Sequence, residues 1–345
     1  MRPVAPLRPG ATVAGDTDRG VPMGHDDTER STAERHLAAL DAELVSPPVP
    51  RRVGATRVAE GRVLAWAEYG HPDGDPVLWF HGTPGARHQI PPTVDRVALE
   101  RGFRVIAVER PGSGRSTDHR YHRIVDFAPD VAALLDGLDL ERVAVVGLSG
   151  GGPYTLAVAH HLPDRVVAAT LLGGLGPTRG PDAVFSYTRV MRFAAPAFEV
   201  LRSPVGAALG RAIPHVEPYA DPVFSAYVRV LGFADRPVLN DAAFKAMFLH
   251  DLLTAGELRS VAHDMALFSR HWGFLLGEVR TPVVVWQGLA DTIVPPSHGH
   301  HLAARLPQGE LHVRPGEGHF AGFADVVSVL DRLREVWARE THTVA

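Results

Sequence analysis

The chain predicts an α/β fold, a mostly parallel and doubly wound sheet with an inserted helical cap. Three observations carry this. Short apolar runs rich in β-branched residues alternate with segments of helical period. The loops after several of these runs concentrate glycine with Ser, His, Asp or Arg, and open α/β sheets keep their ligand sites at that end of their strands. One stretch, residues 178–275, breaks the alternation with helical period and bulky apolar groups.

Residues 1–50 precede the sheet. The first 29 or so are rich in Pro, Gly, Asp, Arg and Thr without apolar periodicity, which predicts disorder. Ser31 with Glu34 forms a capping box for a helix through Leu44, and Pro47-Pro48-Val49-Pro50 closes the extension as a stiff linker. The core is expected over 51–177 and 276–345. Val53–Val58 and Arg62–Tyr69, joined through Glu60-Gly61, read as an edge hairpin. Pro76–Phe80, Phe103–Val108, Val143–Val146, Arg165–Leu172, Thr281–Gly288 and Glu310–Val313 read as further strands. Helices are expected from Asp126 to Leu138, Tyr154 to His160, Ser297 to Leu306 and Ala324 to Trp337. The inserted segment carries Phe185, Phe244, Met247, Phe248, Met265 and Phe268 among its bulky groups, expected mainly as a core of its own. Its prolines divide it into short helices.

Composition narrows the function classes. With 345 residues, 45% hydrophobic and 21% charged, the chain has material for a large core. A formal charge of −4 gives no reason to expect nucleic acid as a partner. The absence of cysteine removes thiolate metal sites and a cysteine nucleophile. No apolar run reaches the length of a membrane span, and Met1–Gly10 lacks the apolar centre of a secretory signal, so the expected location is cytoplasmic. Oligomeric state is not legible.

The chemistry centres on Gly147-Leu148-Ser149-Gly150-Gly151, a G-x-S-x-G turn between an apolar strand and a helix. That context makes Ser149 a candidate nucleophile. No Lys follows in P-loop register, which disfavours a nucleotide loop. A free alcohol needs a base within reach. Among 19 histidines, His319 stands out by following the last strand in a glycine-flanked loop. Asp291, after the strand ending at Gly288, is placed to fix the imidazole tautomer. Alternatively Asp291 is a turn or cap residue, and His319 a helix-start or core histidine.

The order Ser149, Asp291, His319 is that of nucleophile, acid and base in α/β-hydrolases. With His81-Gly82-Thr83-Pro84-Gly85, Glu109–Ser116, Gly288–Asp291 and Gly316–Phe320, the chain resembles a capped α/β-hydrolase-fold serine hydrolase from about Val53 to Trp337. Glu109 departs from the Asp usual in that family. The resemblance implies an oxyanion site built from the Thr83 and Gly150 N–H groups. It also implies a small ester or amide substrate cleaved through an acyl-enzyme, with no metal or organic cofactor. The His-Gly-x-Pro-Gly loop is similar to that of proline iminopeptidases, which need cap carboxylates; Glu199, Glu217 and Glu257 are the candidates. Perhydrolases share the triad. A ligand-sensing receptor on the same fold is the rival from another class.

Overall fold

The computed structural model describes residues 47–186, 228, 232–255 and 259–342. The expected disorder of the first 29 residues, the expected helix over 31–44, and Glu199, Glu217 and Glu257 lie outside the described residues, as does most of 187–231.

Among the described residues, eight strands form one sheet: β1 Arg52–Arg57, β2 Val63–Gly70, β3 Asp75–Phe80, β4 Phe103–Val108, β5 Val143–Leu148, β6 Val166–Leu172, β7 Val283–Gly288 and β8 Gly309–Arg314. Their order is β1-β2-β4-β3-β5-β6-β7-β8. The β1–β2 hairpin and the β2–β4 pair are antiparallel, and all other pairs are parallel. The hairpin turns through Glu60 and Gly61, both in the left-handed region at φ 58° and 73°. Its outer strand carries Arg52 and Arg57 on the sheet edge, where charge discourages pairing with another chain.

Strand alternation supplies the two faces with core. In β3, Val77 and Trp79 join one buried cluster while Leu78 and Phe80 join the other. In β5, Val143 and Val145 go one way and Ala144, Val146 and Leu148 the other. Each such Val, Leu or Phe stabilises the fold by about 1.5–3 kcal/mol on burial. Helices α1 Val94–Glu100, α2 Ala128–Gly137 and α3 Gly151–His161 lie among the first six strands. Between β6 and β7 come α4 Arg236–Asn240, α5 Ala242–Ala255 and α6 Arg259–Phe268; α7 Pro296–Arg305, α8 Ala321–Ala324 and α9 Val326–His342 follow β7. The last helix buries Val326, Val329, Leu330, Leu333, Val336 and Trp337, an i, i+3, i+4 stripe continued over three turns. Among the described residues, no helix is long and apolar enough to cross a membrane.

Three details differ from the sequence expectation. The helix expected from Asp126 begins as a 3₁₀ turn, Ile124–Phe127, because Pro129 lacks an N–H and is accommodated only in a first α-helical turn. The final helix is divided at Asp325, whose carboxylate accepts the Ser328 N–H at 3.2 Å and so caps α9. Three of the described aromatics of the inserted segment pack on rings outside it, beyond the core of its own that was expected. Phe248 meets Phe320 at 5.1 Å between ring centroids, Phe244 meets Phe323 at 5.7 Å, and Phe268 meets Tyr154 at 6.2 Å. The partner rings stand on α3, on α8 and just before α8, elements that themselves pack on the sheet. Phe185 is exposed.

Candidate active site

The turn after β5 has the backbone of a nucleophile elbow. Ser149 sits at φ 51°, a left-handed conformation costing a non-glycine residue about 1–3 kcal/mol and kept only where the surroundings impose it. The flanking glycines are required by space. A Cβ at Gly151 would stand 2.5 Å from the Phe80 carbonyl oxygen, and one at Gly147 would stand 2.3 Å from Thr155 Oγ1. The Ser149 N–H donates to the Leu172 carbonyl at 2.8 Å, which ties the elbow to the end of β6.

Asp291 and His319 come from the loops after β7 and β8. The Ala290 N–H donates to the Glu317 carbonyl at 2.9 Å, lacing the two loops together. His319 Nδ1 lies 2.7 Å from Asp291 Oδ2, with both side chains buried. The other Asp291 oxygen accepts the Ile293 and Val294 N–H groups, each at 2.8 Å. The turn role considered for Asp291 is therefore filled as well, by a different oxygen from the one that meets the imidazole. Gln287, on β7, donates to Asp291 Oδ2 at 3.2 Å. Asp235 supports the His319 loop by accepting the Phe320 N–H at 3.0 Å.

Ser149 and His319 line one cavity of about 260 Å³, together with Thr83. Among the described residues, the Ser149 hydroxyl makes no hydrogen bond to the imidazole. Such contacts are often long without substrate and tighten when it binds.

The loop after β3 contributes Gly82, Thr83 and Pro84 to the lining of the same cavity. A Cβ on Gly150 would come within 2.5 Å of Thr83 Oγ1, so the two expected N–H donors belong to backbone segments in close approach. Gln89 braces the loop from within, accepting the Gly82 N–H at 2.5 Å and donating to the Pro84 carbonyl at 3.0 Å. The Thr83–Pro84 peptide is cis. His81 is buried and faces the Gly82 carbonyl through Nδ1 at 2.8 Å, while its Nε2 accepts the Arg110 N–H at 3.2 Å. Burial and the Arg110 guanidinium hold this imidazole well below its ordinary pKa, and hence neutral.

Two buried carboxylates from the inserted segment meet this loop. Asp251, on α5, accepts the Ala86 N–H at 2.9 Å and the His88 N–H at 3.0 Å, and its side chain lines the cavity. Burial pushes its carboxyl up to about 7, against the pull of those N–H groups and Arg87. Asp264, on α6, takes hydrogen bonds from Thr83 Oγ1 at 2.6 Å, Tyr154 Oη at 2.6 Å and Arg110 Nη2 at 2.7 Å. Burial alone would raise its pKa; Arg110 and the hydrogen bonds outweigh that and hold it below the usual carboxylate range. Glu109, the departure from the family pattern, pairs with Arg87 and accepts the Arg115 N–H at 2.6 Å.

Sequence reasoning missed Asp251 and Asp264. A trace of Asp251 was available, because it falls between Met247 and Ala255 on the buried stripe of α5, where an acid is out of place. Asp264 left none, since its partners Thr83, Arg110 and Tyr154 lie at least 110 residues away. Arg110 was part of a recognised motif without a role.

Comparison with known proteins agrees with this architecture. A family model described as alpha/beta hydrolase fold matches residues 75–203. The chain is 27% identical over 317 residues to a protein described as a probable proline iminopeptidase of Leptolyngbya boryana, covering 84% of this chain and 94% of that one. It is 31% identical over 290 residues to the dihydrolipoyllysine-residue acetyltransferase component of an acetoin cleaving system from Pseudomonas putida, covering 82% of this chain and 68% of that protein. Among solved structures, a thermophilic esterase from Thermogutta terrifontis superposes with a TM-score of 0.60 at 22% identity, over 84% of this chain and 99% of that one, a likeness of fold.

Proposed function

This chain belongs to the alpha/beta hydrolase fold family, and we propose that within it the chain is a serine hydrolase cleaving a small ester or amide through an acyl-enzyme. The observation that carries this reading is the buried 2.7 Å contact between Asp291 Oδ2 and His319 Nδ1, in a cavity shared with the strained Ser149. In this reading residues 178–275 are a cap over the strand carboxyl ends.

Ser149 Oγ attacks the substrate carbonyl carbon while His319 Nε2 takes its proton. Asp291 keeps Nδ1 as the protonated nitrogen, leaving Nε2 free to accept, and stabilises the imidazolium that forms. The carbonyl oxygen, now negative, is received by the Thr83 and Gly150 N–H groups, with the amino end of α3 adding its dipole. His319 returns the proton to the departing alcohol or amine. Water then attacks the acyl carbon, again with His319 as base, and Ser149 is regenerated. The cavity walls beside these groups include Leu148, Leu239, Phe248, Ile293 and Phe320, which favours an uncharged, apolar acyl group.

Replacing Ser149 with Ala is expected to abolish turnover of 4-nitrophenyl esters and labelling by a fluorophosphonate probe. Turnover at the wild-type rate in this variant would end the proposal, and ligand-induced thermal stabilisation without labelling of the native chain would favour a receptor.

Asp251 favours a second reading, an aminopeptidase. It is a carboxyl group in the wall of the same cavity, able to meet a substrate amine. An aminoacyl 4-nitroanilide with a free amine should then be cleaved in preference to its N-acetyl form, and D251N should raise KM for the free amine alone.

A further inference from the structure

The Gly82 carbonyl and the Thr83 N–H belong to one peptide unit. A planar trans peptide directs them to opposite sides, so whatever holds the carbonyl also aims the N–H. Arg110 holds it. Its Nη2 donates to the Gly82 carbonyl at 2.9 Å and to Thr83 Oγ1 at 2.9 Å, and its Nη1 donates to the His81 carbonyl. This guanidinium is buried and lies over the Tyr154 ring at 4.8 Å. Its charge is answered by Asp264 at 2.7 Å.

Asp264 does more than neutralise. One of its oxygens takes Thr83 Oγ1 and Arg110; the other takes the hydroxyl of Tyr154, which stands in the first half of α3, the helix that begins immediately after Gly150. A single carboxylate thus joins the segment bearing one expected oxyanion donor to the helix bearing the other. Asp264 itself stands on α6, in the segment inserted between β6 and β7.

We propose that Asp264, acting through Arg110, Thr83 and Tyr154, is a positioning residue that locks the Gly82–Thr83 peptide with its N–H aimed at the reacting carbonyl oxygen. The inserted segment therefore sets how well the site stabilises negative charge, in addition to which substrates it admits. This rests on the serine hydrolase reading above and adds to it a residue that touches no reacting atom. With Arg110 released from Asp264, its fork is free to leave the Gly82 carbonyl, which the His81 ring then holds alone, and the peptide is free to tilt and carry the Thr83 N–H out of line.

The test compares a 4-nitrophenyl ester with its thionoester in the native chain, D264N, T83V and S149A. Sulfur is a weaker and larger acceptor than oxygen, so an intact oxyanion site favours the ester strongly, and a misaligned one loses that preference. Removing a donor outright costs about 10²–10³ in turnover. Misaligning one in D264N is expected to lower kcat for the ester by about 10–100-fold, to leave KM within about 3-fold, and to shrink the ester-to-thionoester ratio by a similar factor. T83V removes the hydroxyl link and keeps the backbone N–H and the ion pair, so it reports on the same point should D264N fail to fold. It is expected to shrink the ratio in the same direction by a smaller factor. A folded D264N or T83V that retains the native ratio overturns the inference, whether its kcat is unchanged or falls equally for both substrates. The underlying reading fails separately, if S149A hydrolyses the ester.

Discussion

Replacing Asp291 with Asn should disable the enzyme while leaving its shape intact. One carboxylate oxygen receives the Ile293 and Val294 N–H groups, each at 2.8 Å, and an amide nitrogen cannot accept either. Leaving a buried N–H without a partner costs about 1–3 kcal/mol. The amide oxygen of Asn is thereby obliged to occupy this side. Its NH₂ then faces His319 Nδ1, 2.7 Å from the present Oδ2, and Gln287 Nε2, 3.2 Å away. His319 can meet a donor there only as an acceptor, which moves its proton to the other ring nitrogen. That nitrogen can no longer take the Ser149 proton. In a serine protease the same tautomer error costs about 10⁴-fold in kcat, close to 5.4 kcal/mol in the barrier. Steady-state hydrolysis of the best 4-nitrophenyl ester, with circular dichroism to establish folding, measures it. A folded D291N within 10-fold of the native kcat would refute the tautomer argument and Asp291's assigned role.

Two further outcomes follow from particular contacts. In G150A the new methyl would lie 2.5 Å from Thr83 Oγ1 and 3.0 Å from the Phe268 ring, so the Thr83 loop must shift; kcat should fall by about 10²–10³ with the fold retained, and an unchanged ester kcat would count against the Thr83–Gly150 oxyanion site. For Asp251, burial holds the carboxyl near 7, so the folded chain keeps a proton that the unfolded chain releases near pH 4. The raised pKa makes this contribution full below pH 4 and lost as pH rises to about 7, on the order of 4 kcal/mol at most. Urea denaturation at pH 5 and pH 8 should show the native chain losing more stability over that interval than D251N; parallel losses would contradict a buried, protonated Asp251.

The sheet was legible because its signals are local. An apolar run such as Val143–Val146 has both faces to bury, and its two alternating sets of side chains do enter separate cores. The elbow was legible for the same reason, since Gly147, Ser149 and Gly151 answer steric demands set within a few residues of one another. Asp291 and His319 could be chosen from chain order and from the glycines around them. Asp291 makes both the imidazole contact and the turn contacts, which sequence had offered as alternatives, because a carboxylate has two oxygens and the loop after β7 turns one toward His319 and one toward its own backbone.

Side-chain placement in the inserted segment was not legible. Phe244, Phe248 and Phe268 have the period of helix faces, but periodicity does not name the surface a face will meet. Sequence by itself determined the alternation of strands and helices, the glycine-flanked turn that carries Ser149, and the chain order of the loops bearing Ser149, Asp291 and His319. Tertiary structure alone decided that Asp251 and Asp264 descend on the loop after β3, and that Arg110 holds the carbonyl opposite the Thr83 N–H. The physical reason is separation along the chain. A hydrogen bond between Asp264 and Thr83 depends on the relative placement of two elements 181 residues apart, and no local propensity at either end encodes that distance.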